Sequence, residues 1–284
     1  MPLFPWGART YVMGVVNVTP DSFSDDGLLD PEAAVAHGFR LVDEGADLLD
    51  VGGESTRPGA TPVPDDVQIH RVAPVIAALA AQAGVPISVD TSSAAVAQAA
   101  LAAGATIVND VRGLEADPRL AGAIARAGAH VILVHSRGGL DPPPVPEPKR
   151  PRPTWDRAAA DAVGAALEAH VSLALTAGIP RDRLIVDPGI GFGKRVERSL
   201  ALLRQLRRLK QRPALGGLPL LVGTSRKGFI GEVLGLPVDQ RVEGTLATLA
   251  LAIAQGADLV RVHDVRAAVR CCQMADAIVR GPSP

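Results

Sequence analysis

Cysteine is almost missing from this chain: two in 284 residues, adjacent at Cys271 and Cys272. Such a pair supports neither a disulfide framework nor a CxxC metal or redox site, and it points to a reducing, cytoplasmic setting. Aromatics are scarce too, at 3%, so Ala, Val and Leu must fill the core. Neither charge is in excess, with 29 Lys+Arg against 30 Asp+Glu. That excludes a strongly basic nucleic-acid surface and a patch steering toward membranes. The stretch Met1–Tyr11 lacks the apolar h-region of a secretory leader. One uncharged run, Val72–Val89, has membrane-spanning length, but Pro74, Gln82, Gly84 and Pro86 divide it into a helix, a turn and a strand.

What remains is an ordinary globular balance of 47% hydrophobic and 21% charged residues. A rhythm runs through it: an Ala-rich segment, a turn at Gly, then a short β-branched run ending in polar residues. LVDEGADLLDVGGE from Leu41, ALAAGATIVNDVRG from Ala100 and LAIAQGADLVRVHDV from Leu251 are instances. Glycine suits the left-handed backbone just past a helix end. The apolar runs are short and do not alternate, as expected of parallel strands buried on both faces. They fall at Tyr11–Val18, Leu48–Val51, Pro86–Val89, Thr106–Val111, His130–His135, Leu184–Asp187, Leu220–Gly223 and Leu259–His263. Helical segments between them include Pro31–Glu44, Ala158–Ala177 and Val196–Arg212. The count predicts a single-domain α/β fold over 1–284, a (β/α)8 TIM barrel, rather than an open doubly wound sheet. No Gly-x-Gly-x-x-Gly follows the first strand. Asp141–Pro153, rich in proline, reads as an extended loop insertion.

The residues ending these strands carry the chemistry: Asn17, Asp50, Asp90, Asn109 with Asp110, His135, Asp187, Ser225–Arg226–Lys227, and Arg261 with His263. Burying such groups unpaired costs several kcal/mol, and a barrel brings all its strand ends to one mouth. Loops after the first two strands, 17–25 and 52–59, are rich in hydroxyls, and the second adds Arg57. They suit lids that grip an anion. The loop Asp187–Lys194 is glycine-rich but lacks a P-loop ending.

Seven segments resemble the dihydropteroate synthase family, in family order: MGVVNVTPDSFSDDG at Met13, DLLDVGGESTRPGA at Asp47, ISVDTS at Ile87, IVNDVRG at Ile107, LIVDPGIGFGK at Leu184, GTSRKGFIG at Gly223 and LVRVHDV at Leu259. The resemblance implies a transferase of folate biosynthesis that joins 7,8-dihydropterin-CH2-pyrophosphate to p-aminobenzoate by an SN1-like step, with Mg2+ as cofactor and a homodimer as the usual assembly. It implies pterin contacts from Asp90, Asn109, Val111, Asp187, Phe192, Lys227 and Arg261, the last stacking on the ring. Asn17, Arg57 and His263 are implied at the pyrophosphate, with Asn17 also on the metal. Thr56, Pro58, Ser225 and Gly228 are implied at p-aminobenzoate, and Asp25, Asp90, Lys227 and Arg57 in catalysis. Asp50 is expected behind them, near the metal and the lid.

This chain departs from the family pattern at Asp26, Val134 and Gly228, none of which removes a charge the reaction needs. Two alternatives share the pterin-binding acids: a methyltetrahydrofolate:corrinoid methyltransferase and a pterin-binding paralogue without turnover. Partners are expected to be small molecules, with no nucleic acid and no membrane.

Overall fold

The computed structural model describes residues 2–19, 30–55, 61–136 and 152–281, without the side chains of 152–155. Eight parallel strands form one sheet: β1 Tyr11–Asn17, β2 Leu48–Gly52, β3 Ile87–Asp90, β4 Ile107–Asp110, β5 His130–Val134, β6 Leu184–Asp187, β7 Leu221–Val222 and β8 Leu259–Val262. Their order is β6-β5-β4-β3-β2-β1-β8-β7, and a parallel bridge from Val186 to Leu220 brings the two ends together. The ten helices among the described residues are α1 Pro31–Asp43, α2 Asp65–Gln82, α3 Ala94–Ala102, α4 Leu120–Ala127, α5 Arg152–Thr176, α6 Val196–Arg204, α7 Leu206–Lys210, α8 Gly228–Leu234, α9 Val242–Ala254 and α10 Val265–Val279. This is the single-domain (β/α)8 barrel that the strand count predicts.

Strands buried on both faces feed two cores. Along β1, Tyr11 and Met13 join an inner cluster with Leu48, Ile107, Ile132, Ile185, Leu221 and Leu259, whereas Val12 and Val16 join the larger layer beneath the helices. With few aromatics, small side chains let helices and strands approach closely: a Cβ at Gly38 of α1 would strike Leu79 of α2.

Val72–Val89 divides into a helix, a turn and a strand as expected, and two other local expectations need correction. Pro74 lies inside α2, whose Val72, Val75, Ile76 and Leu79 are fully buried. Their burial outweighs the lost hydrogen bond, and the stop comes at Gly84, where φ is +68°. The segment Val196–Arg212 is two helices, broken at Gln205 (φ −123°, ψ 16°). The Pro-rich segment also ends early, since α5 begins at Arg152 and Pro153 sits in its first turn, where a missing N–H costs nothing. Residues 156–176 of α5 are long and apolar enough to cross a membrane, yet Ala160, Leu167, Val171 and Ala174 pack into the outer core.

Candidate active site

Parallel register aligns the polar strand ends. Asn17 pairs with Gly52, Gly52 with Asp90, and Asp90 with Asn109, so one row crosses four strands at the carboxyl end of the sheet. Gly52 leaves that row without a side chain. A Cβ there would lie 3.9 Å from both Asn17 Oδ1 and Asp90 Oδ2, so these two oxygens flank a gap. Asp50 stands one layer deeper and is completely buried.

Arg261 on β8 reaches across the mouth. Its Nε donates to Asp50 Oδ2 at 2.6 Å and its Nη2 to Asp90 Oδ2 at 3.0 Å, while Asn109 Nδ2 also donates to Asp50 Oδ2 at 2.9 Å. Asp50 thus orients the guanidinium and the amide from the layer behind them. At this site three buried acceptors have no donor among the described residues: Asp50 Oδ1, Asp90 Oδ1 and Asn109 Oδ1. Burial, with Asp50 and Asp110 nearby, pushes the Asp90 carboxyl above the usual range, and Arg261 opposes it.

The loop after β6 builds the opposite wall. Gly189, Gly191 and Gly193 all have positive φ, and a Cβ at Gly191 would strike the Lys227 side chain. Lys194 Nζ ties this loop together, donating to the carbonyls of His135 (3.0 Å), Gly189 (2.7 Å) and Phe192 (3.2 Å). Asp187 Oδ1 accepts the Gly189 N–H at 2.7 Å, leaving lone pairs for a ligand, and burial raises its pKa. Lys227 lies 3.9 Å from the centre of the Phe192 ring and donates to the Ile190 carbonyl. Burial pulls its pKa down to about 8, against the pull of Asp187.

On the third side, Ser225 Oγ meets His263 Nδ1 at 2.9 Å and accepts the His263 N–H at 3.1 Å. The cavity at the mouth, about 310 Å³, gathers Asn17, Asp90, Asn109, Val111, Asp187, Phe192, Ser225, Lys227, Gly228, Arg261 and His263. Asp25, Thr56, Arg57 and Pro58 lie outside the described residues, as does Asp26. Sequence reasoning gave no role to Glu54, Glu232 or Thr19, which also line the cavity, or to Lys194. Lys194 carried a faint signal, a cation closing a glycine-rich loop. A lone Glu on a helix carries none.

A cavity with buried, unpartnered acceptors at the carboxyl end of a parallel barrel defines a class: barrel enzymes that bind a small molecule at the mouth. The family model described as pterin binding enzyme matches residues 13–263. The dihydropteroate synthase of Synechocystis is 44% identical over 283 residues, covering 98% of this chain and 93% of its own. A Clostridium difficile dihydropteroate synthase crystallised in the presence of pteroic acid superposes with a TM-score of 0.86 at 41% identity, covering 98% of this chain and 99% of that one. The Xanthomonas albilineans enzyme with 4-aminobenzoic acid does so with a TM-score of 0.84 at 46% identity, covering 95% and 93%. The chain belongs to the dihydropteroate synthase family, whose members are transferases.

Proposed function

We propose that this chain condenses 7,8-dihydropterin-CH2-pyrophosphate with p-aminobenzoate, releasing pyrophosphate and 7,8-dihydropteroate. The observation that carries the reading is the set of buried orphan acceptors, Asp50 Oδ1, Asp90 Oδ1 and Asn109 Oδ1. A pterin's aminopyrimidinone edge supplies donors to the two that line the cavity, Asp90 and Asn109, and Asp187 accepts from the same edge. Lys227 donates to the ring carbonyl and N5, Arg261 stacks on one face, and Phe192 and Val111 wall the pocket. Pteroic acid, present with one solved relative, is the oxidised form of this whole product, and the 4-aminobenzoic acid of another is one of its two halves.

In the reaction, the bond from the pterin methylene to the pyrophosphate oxygen breaks and its electron pair leaves with pyrophosphate. Asp90 and, as the family resemblance implies, Asp25 supply negative charge to the electron-poor methylene, which lowers the barrier. The amine of p-aminobenzoate attacks and loses a proton, so no protein nucleophile is needed. Ser225, Thr56, Pro58 and the Gly228 N–H hold p-aminobenzoate and its carboxylate, and Arg57 and His263 hold the departing phosphates.

The gap over Gly52, flanked by Asn17 Oδ1 and Asp90 Oδ2, fits a small hard cation that takes its remaining ligands from phosphate and water. When bound, Mg2+ neutralises charge on the leaving diphosphate. Asn17 would hold it.

A homodimer suits the exposed Leu251 of α9 and Met274 and Ile278 of α10, three large apolar side chains on helices that pack together. Free Cys271 and Cys272 suit a cytoplasmic setting. The test mixes both substrates with Mg2+ and measures pyrophosphate. Release on mixing supports the condensation. Tight pterin binding without release would establish the binding-only paralogue, and methyl transfer to a corrinoid protein the methyltransferase.

A further inference from the structure

Ser225 and Lys227 flank a residue under strain. Arg226 adopts φ +55°, a left-handed backbone that is unfavourable for a residue with a Cβ. The sheet does not impose it, because β7 ends at Val222. The restraint comes from the first turns of α9 and from the residue before α10. Thr224 Oγ1 lies 2.8 Å from Thr248 Oγ1. The Arg226 N–H donates to Thr245 Oγ1 at 3.1 Å, and the Arg226 carbonyl accepts Arg241 Nη1 at 3.0 Å. Its guanidinium pairs with Asp264, Nε to Oδ2 at 2.9 Å.

The hydroxyl protons run in one direction along this ladder. Thr245 donates to the Arg241 carbonyl at 2.9 Å, so its oxygen is turned to accept from Arg226. Thr248 donates to the Thr245 carbonyl at 2.7 Å, so it accepts from Thr224. Arg241 also donates from Nε to the Leu236 carbonyl at 3.1 Å, and a Cβ on Gly231 would collide with its guanidinium, so it is wedged between α8 and α9. Thr245 is 1% exposed and is not among the residues lining the cavity, so its hydroxyl has no direct access to substrate.

We propose that Thr245, supported by Arg241 and Thr248, is a positioning residue: its hydroxyl holds Arg226 in the left-handed conformation that turns Ser225 and Lys227 into the cavity together. The inference rests on the assignment of those two residues to the substrates. Replacing the hydroxyl by an isosteric methyl leaves the Arg226 N–H without its acceptor and frees the turn to relax. A misplacement of about an ångström at two binding groups is expected to lower kcat/KM by about tenfold or more.

The test is Thr245→Val beside Thr245→Ser, with melting temperature measured for both. The expected result is a rise in KM for p-aminobenzoate of about tenfold and weaker pterin binding by calorimetry, both restored within about twofold by Thr245→Ser. Wild-type KM values with only a lowered melting temperature would overturn the proposal and leave Thr245 as a helix residue. A wild-type protein that releases no pyrophosphate would sink the functional reading instead. Positioning is then judged by competitive acetylation of Lys227 against Lys210, read by mass spectrometry. A ratio that changes in Thr245→Val and returns in Thr245→Ser supports it, and an unchanged ratio overturns it. If Thr245→Val does not fold, Arg241→Met gives the same readouts.

Discussion

The two ends of the barrel treat aspartate in opposite ways. At the foot, where strands begin, Asp47, Asp258 and Asp276 are satisfied. Asp276 accepts the Thr10 N–H (2.6 Å), the Thr10 hydroxyl (2.9 Å) and Arg280 Nε (2.7 Å). Asp258 Oδ2 accepts the Leu220 N–H (2.9 Å) and Lys210 (2.6 Å), and Asp47 Oδ2 accepts the Val12 N–H (2.8 Å) and Arg9 (2.9 Å). None of the three keeps a buried oxygen without a partner. Tyr11, stacked on Phe4 at 4.2 Å, closes the floor beneath them. At the mouth, Asp50 and Asp90 each keep such an oxygen, although Arg261 stands between them. Carboxylates of one kind on one fold thus hold the foot together or keep an acceptor unspent at the mouth, where Asp90 lines the cavity. Which they do follows from whether the backbone and cations around them exhaust their lone pairs.

Substitutions at each end test that division. The largest effect is expected for Asp187→Asn, where an acceptor oxygen becomes a donor facing the donors of the pterin. The loss is about 3 kcal/mol, on the order of a hundredfold in pterin affinity by calorimetry. Equal affinity would remove Asp187 from the pocket. At the foot, Asp276→Ala strands the buried Thr10 N–H and removes the ion pair of Arg280, and unfolding in urea is expected to show a loss of about 2–4 kcal/mol. Both KM values should stay at wild type, and a large change in either would erase the distinction between the two ends.

A smaller effect sharpens the metal assignment. Gly52→Ala adds a methyl at ordinary contact distance, 3.6 Å from Asp90 Cβ and 3.9 Å from the Asn17 and Asp90 oxygens. The chain should fold, and the Mg2+ concentration for half-maximal turnover should rise by about threefold to tenfold, because a cation near 2.1 Å from its ligands needs that space. An unchanged Mg2+ requirement would place the cation elsewhere.

The same contrast explains what was legible in the sequence. The strands announced themselves because a parallel strand buried on both faces must be short and apolar, and the mouth because polar strand ends interrupt that rule at Asp90, Asn109, Asp187 and Arg261. That α2 runs on through Pro74 was not legible, because composition shows the missing N–H but not the four side chains that α2 buries around it. Asp50 could be read as polar and strand-terminal, but its partners Arg261 and Asn109 come from β8 and β4, a pairing only barrel closure creates. Thr245 in α9 and Arg241 just before it had no spacing to mark them. Their role depends on the dihedral angle of Arg226, which no local pattern announces.

The subtlest expected effect is that of pH on Lys227. It is faced by Asp187 from β6, Asp90 from β3, Arg261 from β8, and the Ile190 carbonyl and Phe192 ring of the β6 loop. Burial wins over the two carboxylates and brings its pKa to about 8, against 10.5 in the ordinary case. Turnover that needs the protonated amine should therefore decline as pH rises through about 8. Stability runs the other way. Between about 8 and 10.5 the folded chain holds fewer protons at this site than the unfolded chain, so deprotonation favours the folded form as pH rises. Compared with Lys227→Met, the wild-type protein should gain in urea midpoint from pH 8 to pH 10, while both proteins share the effect of every other titrating group. A difference that stays flat would mean that Lys227 titrates as a solvated lysine, and that the mouth does not strain the cation it uses.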